Sequence, residues 1–407
     1  MDRPFARLTV TEKAARSLRA GHPWVYEGEV LTGGDPCPDG AVTDVYSPKD
    51  RWLGAGFYNS RSKIRVRLLS RNTNDRMDVA FFARRVRYAL EYRRQVMGPD
   101  FAACRLIFGE ADGFPGWTLD RFGDVLVSEV LSLGIEQRRD MLYALARREL
   151  EAMGETVRVI YERNESAIRE KEGLACGKGP CAAPGLDAEP TGHTRICENG
   201  INYNIDYVNG QKTGFFLDQK YNRAAAARLA PGRRVLDCFT HTGAFALNCA
   251  AAGAQSVTAV DVSADALAQA RGNAALNGLE DRVSFVQADV FDYLTALAAG
   301  HERPFDYIIL DPPAFTKSGA TVDNARRGYR EINRRAMQLL PRGGYLATCS
   351  CSHFMTSELF RAMLADAARD AGVSLRQIEE RRQSPDHPIL WGVPETEYLK
   401  FFLFQVV

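Results

Sequence analysis

Hydrophobic and polar positions follow two regimes along the chain. Short alternating runs dominate up to about residue 190, and longer apolar runs spaced by helical segments follow. Residues 1–75 read as short β elements with turns. His22–Val30 is rich in Trp and Tyr, and Leu53–Asn59 is punctuated by glycine as a bent or bulged strand is. In Arg61–Leu69 the cations Arg61, Lys63, Arg65 and Arg67 alternate with Ser62, Ile64, Val66 and Leu68. Period two predicts a strand with all four cations on one face. Over 76–100, Phe81, Phe82, Val86, Leu90 and Val96 fall near helical spacing, with the arginines on a wet face. The stretch 101–185 predicts two strands within 105–124, a third at 125–131, a helix over 135–153 and a strand at 157–161. Gly173–Pro190 is rich in Gly, Pro and Ala and reads as a loop.

From about 195, strand-like runs at 234–238, 256–261, 283–286, 305–310, 343–348 and 399–406 alternate with helical stretches. Several do not alternate internally, as befits strands buried on both faces. The expected fold class is α/β. A doubly wound Rossmann-like domain (191–407) follows a small β-rich domain (1–75) and a linking helix with a small α+β domain (76–190). Such sheets bind ligands beyond the carboxyl ends of their strands.

Composition adds little to this picture. The 407 residues are 45% hydrophobic and 25% charged, with a net charge of +1. A nucleic-acid partner would therefore have to be met by local patches rather than by a global field. No run approaches the roughly 18 apolar residues of a membrane span, and Met1–Phe5 shows no signal-peptide character. Nine irregularly spaced cysteines read as reduced thiols of a cytoplasmic protein. Cys176 and Cys181 lack the second close ligand pair that a zinc site needs.

The candidate chemistry lies at predicted strand ends. Val235–Phe245 runs from a buried strand ending at Asp237 through Thr240, Thr242 and Gly243 into a helix. The loop lacks the G-x-G-x-x-G spacing of dinucleotide sites and carries no phosphate-binding lysine. Asp261 ends the next strand, where a carboxylate can accept ribose hydroxyls. Asp289 follows the third, where an acid can hold an adenine amino group. Each acid alone could be a helix N-cap; acids at three successive strand ends point to a ligand.

This set resembles class I S-adenosylmethionine-dependent methyltransferases. Asn209–Arg223, with its Gln-Lys-Thr-Gly-Phe-Phe-Leu-Asp-Gln run, together with Asp237–Phe245, Pro115–Asp124 and Tyr161–Leu174, resembles the ribosomal RNA large subunit methyltransferase I family over nearly the whole chain. The β-rich start resembles a PUA-like RNA-binding domain. The resemblance implies a cytoplasmic enzyme that makes 5-methylcytosine in 23S rRNA, or in an assembly intermediate of the large subunit, from S-adenosylmethionine. Assembly as a homodimer is left open. It implies cofactor contacts from Thr213, Phe216, Gln219, Asp237, Phe239, Thr240, Thr242, Gly243, Asp261, Ser263, Asp289, Asp311 and Pro312. The alternating cations Arg61, Lys63, Arg65 and Arg67 read either as a solvated outer face or as a strip that binds RNA phosphates. Lys220 and Ala314 stand where family members often carry Arg and Lys.

Cytosine C5 is too weak a nucleophile to take a methyl group unaided, and a thiolate added to C6 makes it an enamine. Asp311-Pro312-Pro313 occupies the base-binding motif, where the carboxyl stabilises charge developing around N3. Thr348-Cys349-Ser350 matches the motif that carries the nucleophile, so Cys349 is the expected thiol and Cys351 a helper in product release. Two rival readings remain: methylation of a base nitrogen without a thiol, and a non-catalytic assembly factor that holds S-adenosylmethionine.

Overall fold

The computed structural model describes residues 3–31, 35–300, 303–316 and 318–407. Its contacts gather into two compact units. The first comprises Met1–Ile196, Ile205–Leu217 and Pro385–Thr396, and the second Cys197–Asn204, Asp218–Ser384 and Glu397–Val407.

The first unit opens with β1 (Ala6–Thr9), α1 (Glu12–Arg19), β2 (Trp24–Tyr26), β3 (Val42–Tyr46), β4 (Trp52–Tyr58) and β5 (Ile64–Ser70). These strands make a five-stranded sheet in the order β1-β3-β4-β5-β2. Gly56 lies at the irregularity where β4 meets β5. A Cβ there would sit 2.2 Å from the Arg67 carbonyl oxygen, so only glycine fits the bulge. Helix α2 (Val79–Met97) starts at Asp78, whose carboxylate accepts from the Phe81 N–H at 2.9 Å. Its buried stripe is Phe81, Phe82, Val86, Leu90 and Met97, with Val96 only half-buried. One arginine departs from the expected wet face. Arg93 is fully buried, donating to Asp112 at 2.8 Å and to the carbonyls of Arg105 and Asp386 at 3.0 Å each.

A second five-stranded sheet follows, β10-β9-β8-β7-β6. It holds β6 (Ala103–Phe108), β7 (Trp117–Phe122), β8 (Val125–Val130), β9 (Val159–Asn164) and β10 (Gly177–Pro180). Strands β8 and β9 are parallel, and α3 (Leu133–Glu136) and α4 (Arg139–Ala152) make the crossover such a pair requires. Helix α5 (Ile168–Lys171) precedes β10, which corrects the expected loop: residues 177–180 pair with β9 as an exposed edge. Its glycines and proline disguise it, because an edge strand needs few side chains to pack.

After the two-stranded ladder of β11 (His193–Glu198) and β12 (Ile201–Asp206), the second unit is built on α6 (Lys220–Ala227), β13 (Arg234–Cys238), α7 (Ala244–Ala251), β14 (Ser256–Asp261), α8 (Ala264–Leu276), β15 (Val283–Gln287), α9 (Val290–Ala299), β16 (Tyr307–Leu310), α10 (Val322–Leu339), β17 (Tyr345–Ser350), α11 (Ser357–Ala371), β18 (Leu375–Arg381) and β19 (Lys400–Val406). The seven strands run β15-β14-β13-β16-β17-β19-β18. All pairs from β15 to β17 are parallel, and β19 is antiparallel to both its neighbours. Sequence periodicity misses β18, a largely solvated edge strand of Arg, Gln and Glu that shows no apolar face.

Alternation along the strands sorts the two faces. Leu236, Cys238, Ile308, Leu310, Leu346, Phe402 and Phe404 pack with α9, α10 and α11 in one core. The intervening residues turn to the other face. There Tyr307 donates to the Ala226 carbonyl of α6 at 3.2 Å, and Phe401 stacks on Phe245 of α7. Asp237 and Cys349 share this second parity. The chain order reverses between β13 and β16, which puts the crevice expected of a doubly wound sheet beside Asp237 and Asp311.

Candidate active site

At the end of β13 the backbone takes up left-handed angles at alternate positions: Phe239 (φ 63°), His241 (φ 51°) and Gly243 (φ 82°). The last has a double constraint. A Cβ on Gly243 would lie 3.1 Å from Cβ of Ala270 on α8, so the glycine serves the turn and close helix packing rather than ligand access alone. The loop is tied down by the Thr240 N–H on the Val260 carbonyl, at 3.0 Å.

Asp237 lies under this loop, fully buried. Its Oδ2 accepts from the Thr240 hydroxyl at 2.5 Å and from the Ala246 N–H at 3.0 Å. Oδ1 is buried without a partner, as is the Thr242 hydroxyl. Burial pushes the Asp237 carboxyl up to about 7, only partly opposed by the Thr240 bond and reinforced by nearby Asp311. An unsatisfied buried carboxylate oxygen of this kind is matched by a ligand that carries a cation and hydrogen-bond donors.

The other acids are built into the walls. Asp261 accepts the His241 N–H at 2.8 Å on one oxygen and the Ser263 N–H at 2.9 Å on the other. Each oxygen keeps a lone pair for a ribose hydroxyl. Ser263 itself caps α8 through the Ala266 N–H at 3.2 Å. Asp289 is exposed and caps α9 through one oxygen, at 2.8 Å from the Phe291 nitrogen, so its capping role and an adenine contact are compatible. Phe239 packs against the core cluster under α9–α11. Thr213 and Phe216 belong to the first unit. Thr213 there donates to Asp120 at 2.5 Å, and Asp120 is clasped in two bonds of 2.8 Å by Arg105.

At the ends of β16 and β17 a second cluster forms. Gln219 donates from Nε2 to Oδ1 of Asp311 at 3.0 Å, and its Oε1 accepts from Asn222 at 2.7 Å. Asn222 in turn accepts from Arg381 Nε at 3.1 Å. Burial raises the Asp311 carboxyl to about 7, with Asp218 adding to the effect. Cys349 is fully buried and its thiol is hydrogen-bonded with both Asp311 and Gln219. Burial first, then Asp311, hold it well above the usual thiol range. Cys351 follows the end of β17, half-buried, with its thiol 3.9 Å from the carbonyl oxygen of buried Pro312. Burial and Asp311 push it up to about 12, while the Lys400 ammonium pulls the other way. Ser350, between the two cysteines, faces away and donates to the Tyr329 hydroxyl at 3.1 Å. Phe315, two residues after Asp311-Pro312-Pro313, packs on Tyr329 at 4.6 Å between ring centres.

Sequence reasoning misses Lys400, Asp218 and Tyr398. Lys400 is buried and donates to the carbonyls of Ser352 and Tyr398 at 2.6 and 2.7 Å. Tyr398 donates to Asp218 at 2.7 Å. A lysine opening a strand otherwise made of Phe, Leu and Val was the available signal.

The cationic strip does not form as expected. The strand starts at Ile64, so Arg61 and Lys63 lie in the preceding bend, both exposed. Arg65 is half-buried, bonded to the Ser60 carbonyl and facing Glu27 at 3.6 Å. Arg67 is buried between Glu172 at 2.9 Å and Glu110 at 3.5 Å, which neutralise it. Alternation identifies a face of a strand, not whether that face is wet.

A family model described as S-adenosylmethionine-dependent methyltransferase matches residues 138–405, and a PUA-like domain model matches 8–71. The chain is 43% identical over 404 residues to a ribosomal RNA large subunit methyltransferase I of Shewanella denitrificans, covering 98% of this chain and 99% of that one. It is 38% identical over 408 residues to the protein of the same name from Klebsiella pneumoniae, covering all of both. Among solved structures, a methyltransferase complexed with S-adenosylhomocysteine superposes with a TM-score of 0.83 at 24% identity, covering 98% of this chain and 100% of that one.

Proposed function

The chain belongs to the ribosomal RNA large subunit methyltransferase I family, and on that premise we propose that it methylates C5 of a cytosine in large-subunit rRNA through a covalent thiol adduct at C6. The observation that carries the reading is the meeting of Asp311 with two thiols, Cys349 and Cys351, at the carboxyl ends of β16 and β17.

S-adenosylmethionine supplies an electrophilic methyl group and a positive charge. Asp261 and Asp289 suit its ribose and adenine, and the unpartnered Oδ1 of Asp237 suits its ammonium. Accessibility supports Cys351 over the expected Cys349 as the attacking thiol: Cys349 is sealed at 0% exposure, while Cys351 is half-buried beside Pro312. Cys351 gives up its thiol proton to solvent, the nearby Lys400 ammonium easing that loss, its sulfur bonds to C6, and the C5=C6 electrons move through C4 toward N3. Asp311, near 7 and therefore partly protonated at neutral pH, gives its proton to N3. C5 is then nucleophilic and takes the methyl group. Loss of the C5 proton to water re-forms C5=C6 and expels the Cys351 sulfur as thiolate, which is reprotonated from solvent, and N3 returns its proton to Asp311, restoring the neutral ring. Cys349 and Gln219 hold Asp311 in position.

The raised thiols favour a second reading, transfer to a base nitrogen with no thiol involved. Labelled methyl transfer to rRNA from cells lacking the gene, followed by bisulfite mapping, separates the two. A labelled, bisulfite-resistant cytosine supports C5 chemistry. Label without such a cytosine overturns it.

A further inference from the structure

A cleft of about 550 Å³ opens within the first unit, between the end of β5, helix α2 and the turn at Leu390. Its acidic lining is already committed. Asp75 pairs with Arg84 at 2.8 Å and Asp112 with Arg93. Glu110 accepts the Trp24 indole N–H at 2.9 Å and faces Arg67 at 3.5 Å. Two cations are not so committed. Arg71 donates to the carbonyls of Gly21 and His22, at 2.9 and 3.1 Å, and Arg85 donates to the Gly113 carbonyl at 3.1 Å while its guanidinium lies 4.4 Å from the Phe81 ring centre. Among the described residues neither forms an ion pair. Burial lowers the Arg85 guanidinium to about 10, which marks a cation held out of water. Space is made for it: a Cβ on Gly113 would lie 2.1 Å from its Nη1.

Two exposed aromatic residues belong to the cleft and its rim. Tyr88 on α2 lines the cleft and is 58% exposed, and Trp391, next to the lining Leu390, is 94% exposed. The tryptophan sits on a fixed turn, not a loose end. The Val393 N–H bonds the Leu390 carbonyl at 3.0 Å, the Leu390 N–H bonds the Thr396 hydroxyl at 2.9 Å, and Gly392 packs on Gly21. An exposed indole on a fixed turn at the rim, together with two lining guanidiniums that carry no ion-pair partner among the described residues, suits stacked bases joined by phosphates.

We infer that this cleft binds a single-stranded RNA segment outside the target nucleotide, with phosphate on Arg71 and Arg85 and a base stacked on Trp391. The inference rests on the rRNA reading, and it gives the first unit a binding site apart from the exposed Arg61 and Lys63.

The test uses the full-length protein, a fluorescein-labelled oligouridylate of about 12 nucleotides and a large-subunit rRNA transcript. Trp391→Ala should weaken oligouridylate binding about tenfold, and Trp391→Phe should restore most of it. Arg71→Ala should flatten the log–log salt dependence by about 0.7. Both should raise KM for the transcript with little change in kcat. Unchanged thermal midpoints show that the variants fold, since both side chains are exposed. Wild-type affinity of both variants for both RNAs overturns the site. So does a defect confined to assembled ribosomal particles, which would make the cleft a protein contact. If the wild type methylates no rRNA, the rRNA reading fails while the oligouridylate arm still decides the cleft.

Discussion

Gln219 donates to Asp311 at 3.0 Å, and this bond is one of the few influences that lower a carboxyl otherwise raised by burial and by Asp218. Removing it with Gln219→Leu should raise the Asp311 carboxyl further. If Asp311 works in its protonated form, single-turnover methyl transfer falls as pH rises through about 7 in the wild type. In Gln219→Leu that fall should move to higher pH. A purely structural role for Gln219 would lower the rate at every pH and leave the midpoint alone.

Asp237 offers a stability test of definite sign. Its folded carboxyl is raised from 3.8 to about 7, so its contribution is fully favourable only below about 4 and is lost as pH rises through about 7. Asp237→Asn keeps an acceptor for Thr240 and Ala246 and cannot ionise. Its thermal midpoint should therefore exceed the wild type's at pH 8, with the gap closing toward pH 4, while S-adenosylmethionine affinity falls. A midpoint difference that does not vary with pH would show that the buried carboxyl is not titrating.

The three acids proposed for the cofactor were legible in the sequence as strand ends. Asp237, Asp261 and Asp289 each terminate or follow a strand whose apolar run is unmistakable, and parallel order places those ends together. Lys400 and Tyr398 were not legible, because Lys400 comes to Cys351 from the start of an antiparallel strand remote in sequence, and Tyr398 just before it bonds Asp218 across a similar gap. The cationic alternation at 61–67 misled for a related reason: Arg67 finds its partner Glu172 more than a hundred residues away, |i−j| = 105, and no local pattern reports that pairing.

Asp261 is expected to do two jobs. Asp261→Ala should cost about 1.5–3 kcal/mol of S-adenosylmethionine affinity by calorimetry. It should also loosen the loop whose His241 N–H it accepts. Unchanged affinity would remove the ribose assignment, whatever happens to the melting temperature.

Gly243 carries two separable costs. Gly243→Ala forces a side chain into φ 82° and against Ala270 at 3.1 Å. The left-handed backbone costs roughly 1–2 kcal/mol, and the contact adds to it. Pairing it with Ala270→Gly relieves the contact and leaves the backbone term. The double variant should thus recover part of the stability lost, after allowance for a glycine inside α8, which costs about 1 kcal/mol. Denaturant midpoints of the four proteins in the cycle measure the coupling; strictly additive effects would mean that the helices separate to accommodate the methyl group.

The two cysteines separate by access. Cys349 and Cys351 are two residues apart, so alternation along the sequence cannot choose between them. Burial does discriminate: an attacking sulfur must come within about 3–3.5 Å of C6, and Cys349 presents no surface to a base. RNA carrying 5-fluorocytosine at the target lacks the proton whose loss frees the enzyme, so a covalent adduct should accumulate and be visible on a denaturing gel. Cys351→Ala should abolish it. Cys349→Ala should still form it, more slowly, because Asp311 loses a hydrogen-bond partner. The reverse pattern returns the role to Cys349 and requires a movement that uncovers it. No adduct with the wild type would transfer the reaction to a base nitrogen.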